Sequence, residues 1–127
     1  GNRAGMAGSL SLLTLVAASA PAVAQITPDS TLPAAERSLV TPAGMIRGVP
    51  SDRIDGGALR GINLFHSFLQ FNIDAGRGAY FSNPTGVLNI LSRVTGDDPS
   101  RIMGRLGVLG NANLYFLNPN GIVFGPN

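Results

Sequence analysis

Two segments of this chain are near copies, 35 residues apart. Tyr80-Phe81-Ser82-Asn83-Pro84-Thr85-Gly86-Val87 and Tyr115-Phe116-Leu117-Asn118-Pro119-Asn120-Gly121-Ile122 carry Tyr, Phe, Asn, Pro and Gly in the same places. Each sets a tight polar corner between two apolar runs. Proline fixes φ at about −65°, which suits the second position of a type I or II turn. Asn at the first position can accept a bond from the backbone two residues on. Gly at the fourth, Gly86 or Gly121, can take the positive φ that redirects the chain. On this pattern alone the corner recurs because coils repeat. The functional reading beside it is a rigid, exposed turn read by a partner.

The rest of the chain follows the same logic. Its 127 residues suit one modest domain, and 17 Gly and 9 Pro mark many turns. Pro28, Pro33, Pro42, Gly44, Pro50 and Gly56-Gly57 leave no room for a normal helix over residues 25–57. Short strands are expected there, at Gln25-Ile26-Thr27 and Met45-Ile46-Arg47. Residues 61–74, GINLFHSFLQFNID, read as a strand with Phe65, Leu69, Phe71 and Ile73 on one face, and Leu64, His66, Phe68, Gln70 and Asn72 on the other; a helix with Leu64, Phe65, Phe68 and Leu69 together is the alternative, and the aromatic content with flanking Gly61 and Gly76 favours the strand. Residues 87–94 put Leu88, Ile90 and Val94 inward, and residues 102–108 put Ile102, Leu106 and Val108 inward. Internal repetition of short strands points to a solenoid or β-helix; a sandwich or barrel stays open, because two copies do not establish a period.

The front of the chain has a different character. Residues 7–20, AGSLSLLTLVAASA, form an uncharged apolar run after Arg3, too short to span a bilayer. Ala22 and Ala24 fit the small-residue pattern before a cut ahead of Gln25. The expected organisation is a signal peptide over 1–24 and a domain over 25–127. The chain begins with Gly and is expected to be a fragment at both ends.

Charge and chemistry narrow the function. All nine basic residues are Arg, scattered rather than clustered, so no phosphate-tracking stripe for nucleic acid is expected. No Cys is present, which excludes disulfides, thiolate zinc sites and thiol catalysis. His66 is the single histidine, and Asp97-Asp98 lack spaced partners, so no metal site is expected. His66, Ser67 and Asp74 contain triad residue types without the nucleophile elbow, and neighbouring His and Ser point to opposite strand faces. Gly104, Gly107 and Gly110 miss the dinucleotide spacing and read as a tight corner. No catalytic residue and no cofactor is expected.

Three ordered segments then carry a resemblance: LFHSF at 64–68, NxxSRVTG at 89–96 and GNANLYFLNPNGIVFG at 110–125. Together they resemble the N-terminal secretion domain of filamentous haemagglutinin-type exoproteins of two-partner secretion in Gram-negative bacteria, in a form most like cyanobacterial members. The resemblance covers about Ile26 to Asn127. It implies an all-β fold, a right-handed parallel β-helix with N-terminal capping strands. It also implies export through the periplasm to the cell surface or medium. The implied partner is an outer-membrane β-barrel transporter whose periplasmic POTRA domains bind the chain. Host or neighbouring cell surfaces are implied only through regions downstream. The motif associated with secretion matches at Asn118, Pro119, Asn120, Gly121 and Ile122. The first motif departs from the family's NPNL form, so Asn83, Pro84 and Gly86 come second. The rival readings are a surface adhesin or carbohydrate-binding module in its own right, and an enzyme built on a β-helix.

Overall fold

The computed structural model describes residues 25–126. The signal-peptide expectation and its cleavage residues Ala22 and Ala24 lie outside that range. The described chain is all-β apart from one 3-10 turn at Ala34–Glu36. Its strands are β1 (Ile26–Pro28), β2 (Ser38–Ile46), β3 (Val49–Gly56), β4 (Ala58–Arg60), β5 (Asn63–Phe71), β6 (Gly78–Phe81), β7 (Asn89–Val94), β8 (Ser100–Ile102), β9 (Arg105–Val108), β10 (Asn113–Leu117) and β11 (Ile122–Phe124).

They form three sheets, ordered β1-β5-β7-β10 with β4 beside β5, β2-β3-β6-β9, and β8-β11. The N-terminal elements pair antiparallel: β1 and β4 on β5, and β2 on β3. All later pairings are parallel: β5-β7-β10, β3-β6-β9 and β8-β11. From β5 on, the chain visits the sheets in one order, with Ile73 bridging to Ile102 where β5's circuit passes the third sheet. Asn63 faces Asn89 and Asn89 faces Asn113, offsets of 26 and 24 residues.

That spacing corrects the reading of the duplicated motif. Tyr80-Phe81 lies in β6 and Tyr115-Phe116 in β10, which belong to different sheets. Tyr80 pairs with Arg53 and Gly107, whereas Tyr115 pairs with Leu91. The copies do not stack, so the corner does not recur because circuits repeat.

Of the short strands expected near the front, β1 is as short as expected, whereas the one at Met45-Ile46 is the end of the longer β2. β2 and β3 form one hairpin that carries Pro42 and Pro50. Pro42 is tolerated because β2 is an edge strand with its register broken between Pro42 and Gly44. The turn Arg47-Gly48 has φ of 49° and 89°, the double positive-φ signature of a type I′ hairpin.

The core sits between the sheets and is held by rings. Phe71 meets Phe68 at 5.0 Å, Phe81 at 5.9 Å and Phe116 at 4.8 Å between centroids. Phe68 and Phe81 are fully buried; such a side chain contributes about 1.5–3 kcal/mol through area removed from water. The expected faces of β5 were wrong. Leu64, His66 and Phe68 point inward with Phe71 and Ile73, while Phe65 and Leu69 are exposed. The register against β1 jumps at Leu69, which turns the alternation over. Leu88 is likewise exposed, although Ile90, Val94 and Ile102 are buried, and Leu106 and Val108 pack against the core as expected.

Two features of this interior have measurable consequences. His66 is buried beside Phe81, with Nδ1 at 2.7 Å from Ser38 Oγ, and its Nε2 has no partner. Burial holds its pKa down to about 4 from 6.5, against a smaller opposing pull from Asp55. The unfolded chain therefore binds this proton more readily. The contribution is fully present above about pH 6.5, falls as pH drops, and bottoms out near pH 4, a total of about 3 kcal/mol. Urea midpoints measured from pH 7 to pH 4 should show that slope, and His66→Gln should flatten it; an unchanged slope would remove His66 as its source. Gly104 sits where a Cβ would strike the backbone carbonyls of Arg77 and Asp74. Neither can swing away, so Gly104→Ala should cost about 1–3 kcal/mol of unfolding free energy. A shift in midpoint too small to resolve would show that the two circuits separate freely there.

Candidate functional site

The second motif folds into a closed turn. The Gly121 amide donates to the Asn118 carbonyl at 3.0 Å, and Gly121 has φ of 111°. The Asn120 amide donates to Asn118 Oδ1 at 2.9 Å, the Asx bond expected of the sequence. The other end of the Asn118 side chain reaches the preceding circuit: Nδ2 donates to the Asp98 carbonyl at 3.0 Å and to Ser100 Oγ at 2.9 Å. Asn120 Nδ2 donates to the Gly96 carbonyl at 2.7 Å. Ile122 then starts β11, pairs with Ser100 and packs against the core. Pro119 lines a cleft of about 550 Å³ with Thr95, Gly96, Asp97, Leu117 and Asn120.

The first motif closes differently. The Val87 amide donates to the Pro84 carbonyl at 3.1 Å, so the turn is set one residue later. Gly86 has φ of 86°, and Pro84, Thr85 and Gly86 are exposed. Asn83 Nδ2 donates to the carbonyls of Val87 (3.1 Å) and Pro84 (3.2 Å). Its Oδ1 accepts from the Ala112 amide, 2.8 Å away in the following circuit. Gly110 makes room, since a Cβ there would overlap the Asn83 side chain. The two asparagines thus do unlike work: Asn118 fastens its turn to the segment before it, and Asn83 receives the segment after it. Asn83, Pro84 and Gly86 are not brought together with residues 118–122.

The other quoted motifs meet the N-terminal segment at Asp29. Asp29 follows β1, and its carboxylate accepts four bonds. Oδ1 takes the Thr31 amide at 3.1 Å and hydroxyl at 2.9 Å, and Oδ2 takes the hydroxyls of Ser67 and Thr95 at 2.6 Å each. Arg93 completes the cluster, with Nε on Ser67 Oγ and Nη2 on Thr31 Oγ1, both at 2.8 Å. Burial would raise the Asp29 pKa, but the bonds from Ser67, Thr95 and Thr31 outweigh it and hold the carboxyl below its ordinary value. One carboxylate therefore ties the N-terminal segment to β5 and to the SRVTG stretch. Sequence reasoning passed over Asp29; its local signal is the Asp-Xaa-Thr spacing of an Asx turn, and the contacts 38 and 66 residues away leave no mark.

Asn89 supplies a further link. Its Nδ2 donates to Asn63 Oδ1 at 3.0 Å, and Asn113 Nδ2 donates to Asn89 Oδ1 at 3.2 Å, a three-rung side-chain ladder along one edge of the large sheet. His66 and Ser67 point to opposite faces, towards Ser38 and Asp29 respectively, and Asp74 is exposed elsewhere, so no triad assembles from them. Gln25, beside the expected cut, accepts the Asn72 amide through its carbonyl at 2.8 Å. Among the described residues no three His, Asp or Glu side chains gather in a way that could hold a metal ion. No helix there is long and apolar enough to cross a membrane.

Removing either asparagine should weaken the fold through different neighbours. Asn83→Ala leaves the Ala112 amide without its acceptor and should cost about 1–3 kcal/mol. Hydrogen exchange should then quicken at Ala112 and leave the Asp98–Ser100 turn unchanged. Faster exchange at both sites would show that the two turns are one cooperative unit.

No curated protein and no solved structure matches the chain. The family model described as the TPS secretion domain matches residues 24–127, which takes in the antiparallel N-terminal strands, the Asp29 cluster, the asparagine ladder and both turns. The chain belongs to the TPS secretion domain family, and its place is in two-partner secretion.

Proposed function

We infer that residues 25–127 are the secretion signal of a larger adhesin- or haemagglutinin-like exoprotein, delivered to the periplasm by a signal peptide over 1–24 that is cut after Ala24. The periplasmic POTRA domains of an outer-membrane β-barrel transporter recognise the unfolded segment, by pairing with its strands as an added edge. After emergence the segment folds as the capped start of a right-handed parallel β-helix and templates the circuits that follow, because each circuit buries its face only against a neighbour. Asn118, Pro119, Asn120, Gly121 and Ile122 are the contact residues, with Asn83, Pro84 and Gly86 second. The role is one of binding and folding, with no chemical step.

One observation carries the unfolded-state part of this reading. In the folded chain both ends of the Asn118 amide are already engaged, by Asp98, Ser100 and Asn120. A partner that reads that side chain must meet it before the turn closes. Ser100→Ala separates recognition from folding, since it removes one bond of Asn118 without altering the motif. With the exoprotein and its transporter co-expressed, Asn118→Ala should cut secretion by about tenfold or more, whereas Ser100→Ala should leave secretion near normal while lowering stability by about 1 kcal/mol. Equal losses of secretion in both variants would overturn recognition of the motif and make folding the driver. Normal secretion of Asn118→Ala with lost surface binding would favour the rival reading, a surface adhesin or carbohydrate-binding module.

A further inference from the structure

Arg47 sits at the tip of the β2–β3 hairpin with φ of 49°, a left-handed conformation that is strained for a non-glycine residue. Its side chain is held all the same. The guanidinium lies 5.0 Å above the Tyr80 ring, and Nη2 donates to the Val108 carbonyl at 3.3 Å. Arg105 braces it from the next circuit, donating from Nη1 to the Arg47 carbonyl at 2.7 Å. Both arginines line one cleft of about 430 Å³, together with Tyr80, Gly104, Gly107 and Phe124.

The charge in that cleft is unbalanced. The ion pairs among the described residues are Arg53–Asp55, Arg60–Glu36 and Arg77–Asp52, and they include neither Arg47 nor Arg105. No carboxylate lines the cleft. Both arginines border the same cleft, and an anion there balances their charge. Each keeps guanidinium N–H groups that are not used in the bonds above, and a pre-set guanidinium loses little freedom on binding. Phe124, 65% exposed at the rim, offers apolar contact beside the charge.

We propose that Arg47 and Arg105 form a binding site for a phosphate-class oxyanion, with Phe124 receiving whatever apolar group the phosphate carries. Two cations with no acidic neighbour match a group of charge between −1 and −2 better than they match a single carboxylate. The site is separate from the secretion reading, since Arg47, Arg105 and Phe124 are not among the proposed transporter contacts.

The test uses the full chain and inorganic phosphate, followed through the arginine Nε–Hε resonances. Saturable shifts are expected at Arg47 and Arg105 within about 10 mM phosphate, without matching shifts at Arg37 and Arg101. Arg47→Gln should weaken the apparent affinity by at least about tenfold, and Arg101→Gln should leave it unchanged. Arg105→Gln leaves the hairpin tip residue in place and should show the same loss, which covers a hairpin disturbed by the first variant. Non-saturating shifts, or equal shifts at all arginines, would overturn the site. Vesicles identify the source. Sedimentation with phosphatidylglycerol but not phosphatidylcholine vesicles, competed by phosphate, makes the ligand a lipid headgroup. Saturable phosphate binding without vesicle sedimentation makes it a free phosphate.

Discussion

Parallel strand pairing between successive circuits is the constraint on which everything else in this chain depends. Strands in register lie about 4.8 Å apart, so each circuit has one strand's width in which to place its side chains. Phe71 can then meet Phe81 in its own circuit and Phe116 further on, and Ile90 and Ile102 close the gaps between them. The same narrow spacing leaves no room for a Cβ at Gly104 or Gly110. It also brings asparagine side chains from different circuits within bonding distance of backbone and of one another. The apolar core and the polar fastenings are two results of one distance.

At the front of the described residues the pairing is different, because it is antiparallel. Antiparallel β1 and β4 cover the β5 edge, and the β2–β3 hairpin covers the other sheet. Asp29 fixes that cover with hydrogen bonds from three hydroxyls, and Arg93 braces two of them. An exposed strand edge invites pairing with other chains, so such a cover also keeps the start of the stack from acting as a template. At the opposite end of the described residues β9, β10 and β11 are the outermost strands of their sheets.

Local chemistry was legible in the sequence and long-range placement was not. The Asn118 turn could be written down from Asn-Pro-Asn-Gly alone, because proline, Asx bonding and positive φ act within four residues. The all-β class followed from the spacing of Pro and Gly. The inward face of β5 did not, since one irregular residue at Leu69 reverses the alternation and the sequence does not announce it. Arg47-Gly48 gave no warning of a hairpin, because Asn or Asp is the usual partner of Gly in a type I′ turn. The 35-residue echo misled for a physical reason: circuits here run 22 to 29 residues between paired positions, so similar words fall on different sheets. The Asp29 cluster lay beyond reach because a single acid gains its meaning from partners far along the chain.

The asparagine ladder has a direction. Asn89 donates to Asn63, and Asn113 donates to Asn89; in each pair the later residue gives its hydrogen to an oxygen already set by the earlier one. Asn83 extends the rule, accepting from the amide of Ala112. A chain that emerges from its first residue onward meets these acceptors in the order in which it needs them. These asparagine bonds can thus be completed one circuit at a time, in chain order.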